Sequence, residues 1–129
     1  MTNQKRIDNN LEEVKNYHKQ IMQLSEEDKV DKIYLLSKQL VFIGRLAAIF
    51  SEMHRNIYVE RKRIYNMEYL KAKQSKAVHA ELAIVDIRKQ EADAYNNYKR
   101  WNTAFITTRE EINALKYKVR IDLEDGSSR

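Results

Sequence analysis

One face of the second half of the chain carries apolar residues at alternating steps of four and three. Ten of the twelve positions on this ladder are apolar or aromatic, and no Pro or Gly interrupts them. The positions are Ala80, Ile84, Ile87, Glu91, Ala94, Tyr98, Trp101, Phe105, Thr108, Ile112, Leu115 and Val119. Two apolar positions in every seven residues are typical of a coiled-coil seam. A helix with so narrow a stripe must pack on a partner helix.

A matching ladder occurs upstream, where eight of ten positions are apolar. Its positions are Ile33, Leu36, Leu40, Ile43, Ala47, Phe50, His54, Ile57, Arg61 and Ile64. The polar stretch Lys-Ala-Lys-Gln-Ser-Lys at 71–76 separates the two ladders. If the chain folds back near residue 76, Leu40 meets Ile112 and Phe50 lies near Trp101. The ladders therefore predict that one long helix packs on the next.

The polar exceptions in the two ladders match in part, because the same register places Arg61 opposite Glu91. A paired charge in an apolar seam can fix the register of two helices. This predicts Arg61 and Glu91 as a register pair and favours an antiparallel helical hairpin. The alternative is one continuous helix of about ninety residues that dimerises through the same seam.

The predicted fold is all-α, with a short N-terminal helix before the hairpin, in a single domain spanning 1–129. We expect helices at about 4–24, 26–73 and 79–123, a turn at about 74–78, and a frayed tail at 124–129. The first helix carries the stripe Ile7, Leu11, Val14, His18 and Ile21. Ser25 with Asp28 resembles a capping box, Ser75 is a candidate cap after the turn, and Gly126 should lie beyond the last helix.

A second apolar stripe lies beside the first on residues 33–53, and its members are Phe42, Leu46, Ile49 and Met53. A helix that is apolar on more than one side packs on more than one neighbour. The N-terminal helix can cover part of this surface, and we predict these four residues as an interaction surface for a second copy of the chain or for a protein target. Gly44 lies in the same stretch, and we expect it to allow a close approach between helices.

The excess positive charge is concentrated between Arg55 and Lys76, where seven basic residues stand against two acidic ones. Tyrosines are interleaved with these residues, an arrangement that can hold phosphates by charge and bases by stacking. The candidate nucleic-acid-binding residues are Arg55, Lys62, Arg63, Tyr65, Tyr69, Lys71, Lys73 and Lys76. The alternative interpretation is a solvated helix face.

Composition argues against several chemistries. The absence of cysteine removes disulfides and thiolate catalysis, and the three histidines lack metal-ligand spacing. His18 and His54 fall on apolar stripes, where packed rings are expected, and Trp101 falls on the ladder as a core residue. We expect no enzymatic activity, no cofactor and no metal. Since no continuous run of eighteen apolar residues occurs, we expect no membrane span and a cytoplasmic location.

The stretch from Glu91 to Arg120 resembles the small coiled-coil accessory proteins of bacteriophages of Gram-positive hosts. The residues that carry the resemblance are Trp101, Ile112, Leu115, Lys116 and Arg120. The resemblance covers about a quarter of the chain and amounts to little more than a heptad pattern. It implies a replication or recombination role in the host cytoplasm.

Two functions are therefore predicted. The first is a non-enzymatic helical interaction or assembly protein that packs with itself or with a protein target. The alternative is a nucleic-acid-binding accessory protein that uses residues 55–76.

Overall fold

The computed structural model describes residues 1–126, which form four α-helices and no strand. Their bounds are Asn3–Met22 (α1), Lys29–Lys71 (α2), Lys76–Ala83 (α3) and Val85–Glu124 (α4). The all-α prediction is confirmed, and the long helices α2 and α4 contact each other. Gly126 follows α4 with a φ of 69°, as expected for a residue beyond a helix end. Of the tail predicted as frayed, residues 127–129 lie outside the described residues.

Every position of the two ladders is buried or half-buried. Eight positions, for example Leu36, Phe50 and Ile84, are buried hydrophobic residues, and the other ladder positions are half-buried. The steps of three and four therefore identify the inward faces of the long helices correctly. Full burial of one large aliphatic side chain contributes about 1.5–3 kcal/mol, so these faces supply much of the stability.

The helix boundaries differ from the prediction in two places. Ser25 and Asp28 are hydrogen-bonded as expected, with the Ser25 amide donating to Asp28 Oδ2 at 3.2 Å, but α2 begins only at Lys29. The helix predicted at 79–123 begins earlier, at Lys76, and is interrupted at Ile84, which separates α3 from α4. No Pro or Gly marks the interruption, so apolar periodicity could not reveal it.

The chain reverses through residues 72–75 instead of 74–78. Ser75 precedes α3 in the left-handed region, with φ and ψ both at 48°, and its side chain makes no capping hydrogen bond. Ser75 therefore occupies the predicted N-cap position but does not cap the helix through its side chain. Its backbone carbonyl begins the helix instead, accepting a hydrogen bond from the His79 amide at 3.1 Å.

The contacts of the chain fall into two compact units. The first comprises residues 1–47 with the chain from residue 100 onward. In this unit Gln39 is buried, and its Nε2 donates to the Val14 carbonyl at 3.1 Å, so α1 is tied to α2 by a satisfied polar group. Tyr17 of α1 stacks on Phe42 of α2 with ring centroids 5.9 Å apart. Lys29 and Asp122 form an ion pair at 3.3 Å between α2 and α4.

His18 does not lie on the inward face of α1, as the sequence had predicted. Its side chain is exposed, and the neighbouring Tyr17 takes the inward position between Val14 and Ile21. The stripe therefore steps by three and then four at this point. From position 17 the Tyr ring reaches Phe42, which explains why Tyr17 and not His18 lies on the inward face.

The second unit comprises residues 48–99. Ile49, Phe50, Ala80, Ile84 and Ala94 form its buried apolar core. Two contacts join α2 to α4 here: the rings of His54 and Tyr95 lie 5.3 Å apart, and Arg61 pairs with Glu91. A fold-back near residue 76 predicts Tyr98 opposite His54, because the same register pairs Leu40 with Ile112, so the observed ring contact is displaced by about one helical turn.

Gly44 allows the close approach of α2 and α4 that the sequence predicts. A Cβ atom added at Gly44 would lie 3.1 Å from Cε2 of Phe105. In a free helix, Gly→Ala stabilises by about 1 kcal/mol, and here that gain is opposed by displacement of the Phe105 ring.

We therefore expect Gly44→Ala to be nearly neutral in the native chain but to raise the free energy of unfolding by about 1 kcal/mol in a Phe105→Ala background. Denaturant titration of the four variants measures this coupling. Equal effects of Gly44→Ala in both backgrounds would show that the two residues do not interact.

Candidate functional site

The predicted register pair is present. Arg61 Nε lies 3.0 Å from Glu91 Oε1, and the two side chains are 20% and 18% exposed. The Arg61 guanidinium also lies 5.2 Å from the Tyr58 ring centroid. The pair thus combines a charge-assisted hydrogen bond with partial burial, which makes separation of the two charges unfavourable.

An open cleft of about 390 Å³ lies beside this pair in the second unit. Its lining residues are His54, Arg61, Arg88, Glu91, Ala92 and Tyr95. Both arginines already have carboxylate partners, because Arg88 pairs with Glu81 at 3.1 Å. The cleft therefore presents cations whose charges are already paired.

The candidate nucleic-acid-binding residues lie on the surface, with all except the half-buried Tyr65 exposed. Several of their charges are already engaged. Arg63 hydrogen-bonds to Glu60, and this contact lowers the pKa of the Glu60 carboxyl and raises that of the Arg63 guanidinium. Lys71 lies 3.6 Å from Glu68. These are exposed i,i+3 pairs, which contribute little to stability.

The tyrosines of the basic segment interact with its own cations. Lys62 lies 4.9 Å from the Tyr58 ring centroid, and Lys76 lies 5.7 Å from that of Tyr69. Tyr65 and Tyr69 are stacked with centroids 6.2 Å apart. A base that stacked on these rings would therefore have to compete with contacts that the chain already makes.

The predicted interaction surface is largely covered by the chain itself. Leu46 is fully buried and Ile49 is 3% exposed. Phe42 is half-buried between the Tyr17 ring and the Arg45 guanidinium, and Met53 is also half-buried. Leu46 and Ile49 are thus unavailable to a partner, because the second apolar stripe of α2 serves the internal core.

Other apolar side chains are exposed on α2. Val30, Tyr34 and Val41 are 67%, 61% and 49% exposed, and their spacing places them on one helical face. We call these three residues the α2 stripe. The apolar pattern of this face is interrupted by Lys38, which is why sequence analysis missed the stripe. In the structure Lys38 Nζ lies 5.4 Å from the Tyr34 ring centroid.

Further apolar side chains are exposed on both sides of the chain reversal at residues 72–75. We call residues 69–85 the turn region. Leu70, Val78, Leu82 and Val85 are each more than half exposed. The signal was present in the sequence, since 78, 82 and 85 repeat the ladder spacing two residues before Ala80, Ile84 and Ile87. The more regular inward ladder concealed it.

Among residues 1–126 no group of three His, Asp or Glu side chains is arranged to hold a metal ion. By length and composition, α2 is long and apolar enough to cross a membrane, and 33% of its most apolar 18-residue window is buried. The sequence expectation of no span considered only uninterrupted apolar runs. Composition alone does not separate a membrane span from a core helix, and α2 contributes buried residues to both units.

No protein-family model, curated protein or solved structure gives a significant match to the chain.

Replacing Glu91 with Leu should leave Arg61 half-buried without its carboxylate. We expect a loss of about 1–3 kcal/mol, between the values typical of exposed and buried pairs. The double change Arg61→Leu with Glu91→Leu should recover most of this loss, because two apolar residues fit the ladder. Urea titrations of the single and double variants measure the coupling. Additive single effects would contradict an energetic role for the pair.

Proposed function

We propose that the chain is a non-enzymatic helical interaction and assembly protein, built on an antiparallel coiled-coil hairpin of α2 and α4. Contacts within each unit support the antiparallel direction. In the first unit Lys29 pairs with Asp122, and Gly44 approaches Phe105. As the residue number rises along α2, that of its α4 partner falls. His54–Tyr95 and Arg61–Glu91 follow the same rule in the second unit.

The hairpin is tested with a pair of cysteines at Lys32 and Glu111, whose Nζ and Oε1 atoms lie 3.4 Å apart. Both residues are on the surface, and the native chain has no cysteine, so a short bis-maleimide reagent would join only these sites. We expect crosslinks within single chains. Mass spectrometry of mixed ¹⁵N-labelled and unlabelled protein separates these from crosslinks between chains, which would favour the continuous rod.

The α2 stripe is the observation that carries the assembly proposal. Three large apolar side chains on one face of a long helix remain exposed after α1 and α4 have packed. Charges of both signs flank them, including Asp31 and Lys38. A second copy can therefore bury the stripe without bringing like charges together, and we propose self-association through this face.

The test replaces Val30, Tyr34 and Val41 with Ser together. Since each buried large side chain contributes about 1.5–3 kcal/mol, self-association should weaken by at least a hundredfold. Sedimentation equilibrium measures the dissociation constant. The matched control is Val59→Ser with Leu123→Ser, which removes comparably exposed side chains elsewhere.

A native chain that stays monomeric at all concentrations would exclude self-association. Capture of a protein target that is lost in the α2-stripe variant, but kept in the control, would then support the second form of the proposal.

The nucleic-acid-binding accessory role, suggested by the phage resemblance, remains a second candidate. It is supported by the exposed cations of residues 55–76 and opposed by the internal contacts of their tyrosines. A DNA titration across salt concentrations tests it, because affinity that depends on phosphate contacts falls steeply as salt rises.

A further inference from the structure

The short helix α3 is apolar on two opposite faces. Ala80 and Ile84 are fully buried, whereas Val78 and Leu82 are 58% and 68% exposed. At about 100° per residue, the buried and exposed pairs lie on nearly opposite sides of the helix axis. Val85, the first residue of α4, is also 58% exposed. A helix at the surface of a protein normally presents polar side chains outward, so this outward apolar face is suited to a second environment.

Leu70 adds to the exposed apolar surface of the turn region. It lies in the last turn of α2 and is 77% exposed, the largest value for an aliphatic side chain other than Met1. Between Leu70 and Val78 the chain only completes α2, turns, and begins α3. The exposed aliphatic side chains thus lie close to the short connection between α2 and α3, where they can contact an apolar layer without movement of the two helices.

Lysines are interspersed with these aliphatic residues. Lys71, Lys73 and Lys76 are all exposed, and the one acidic residue of the turn region, Glu81, pairs with Arg88 at 3.1 Å. The Lys71 side chain is 65% exposed even though it lies near Glu68. The turn region, residues 69–85, therefore combines positive charge with exposed aliphatic side chains.

We propose that the turn region docks on the surface of an anionic lipid bilayer. Lysines are attracted to the negative headgroups, and the side chains of Leu70, Val78 and Leu82 enter the boundary between headgroups and acyl chains. The exposed aliphatic side chains, and not the lysines, distinguish a bilayer from a nucleic acid as the partner. Phosphate groups of DNA or RNA attract lysine equally well, but they offer no apolar layer in which exposed Leu and Val side chains are buried.

Surface docking is distinct from insertion of α2 as a membrane span. A docked turn region leaves the ladder of α2 packed within the protein, and its binding falls as salt screens the lysines. A spanning helix would resist extraction by salt. The proposal also uses no residue of the α2 stripe, so it stands or falls independently of self-association.

The experiment is flotation of the full chain with vesicles of phosphatidylglycerol and phosphatidylcholine in equal parts, beside vesicles of phosphatidylcholine alone. We expect binding only to the first, weakening as salt is raised. Changing Lys71, Lys73 and Lys76 to Gln should weaken binding about a hundredfold, because each lysine near such a surface contributes about fivefold. Changing Leu70, Val78 and Leu82 to Ser should weaken it at least tenfold.

The controls remove the same chemistry elsewhere. Lys5, Lys15 and Lys19 of α1 are changed to Gln, which gives the same net charge as the first variant. Met22, Val59 and Leu123, which are 64–70% exposed, are changed to Ser. Both controls should bind like the native chain. Circular dichroism should show that all four variants keep the helical content of the native chain.

A second measurement does not require these multiple changes. The native chain has no cysteine, so Val78→Cys accepts a single environment-sensitive fluorophore. Its emission should shift to shorter wavelength with the anionic vesicles, and the same fluorophore at Lys15→Cys should not respond.

Three results would overturn the proposal: no binding to anionic vesicles at low salt, equal weakening by the α1 lysine control, or binding that is unaffected by the aliphatic variant. If single-stranded DNA binds and only the lysine variant loses it, while vesicles do not bind, the turn region recognises nucleic acid instead.

Discussion

Two long helices that each carry an apolar ladder depend on each other, because neither can bury its ladder in water alone. Packing of α2 against α4 removes both ladders from solvent, and the rest of the structure adapts to this contact. Gly44 admits the Phe105 ring in the first unit, while Arg61 and Glu91 form an ion pair between α2 and α4 in the second. Small size at one position and matched charge at another thus assist a contact that the apolar side chains drive.

The same contact determines what α1 must do. Once the ladder of α2 faces α4, its neighbouring stripe through Phe42 and Leu46 needs a cover of its own, and Tyr17 stacks on Phe42 to provide part of it. Further along this helical face the apolar residues end at Met53, and the next positions are Asn56 and Glu60. The apolar stripe that needs cover therefore ends where this face of α2 becomes polar.

Sequence periodicity predicted the inward faces and the Arg61–Glu91 pair, because both follow from helical geometry that repeats over many turns. Local departures from that geometry escaped it. Tyr17 replaces His18 through one changed step, and the interruption at Ile84 has no Gly or Pro to announce it. Surface assignments were the least predictable. An apolar stripe shows that a residue requires cover, but whether another part of the chain supplies it, as for Leu46, depends on packing in three dimensions.

Two apolar surfaces remain exposed, and their surrounding charges suit them to different partners. Asp31 and Lys38 flank the α2 stripe with opposite charges, so two copies can meet there without net repulsion. The turn region presents three lysines against one acidic residue, Glu81, so two turn regions would repel each other. Hydrophobic surface supplies attraction in both places, but charge decides which partner can approach. We therefore propose self-association through the α2 stripe and an anionic surface as the partner of the turn region.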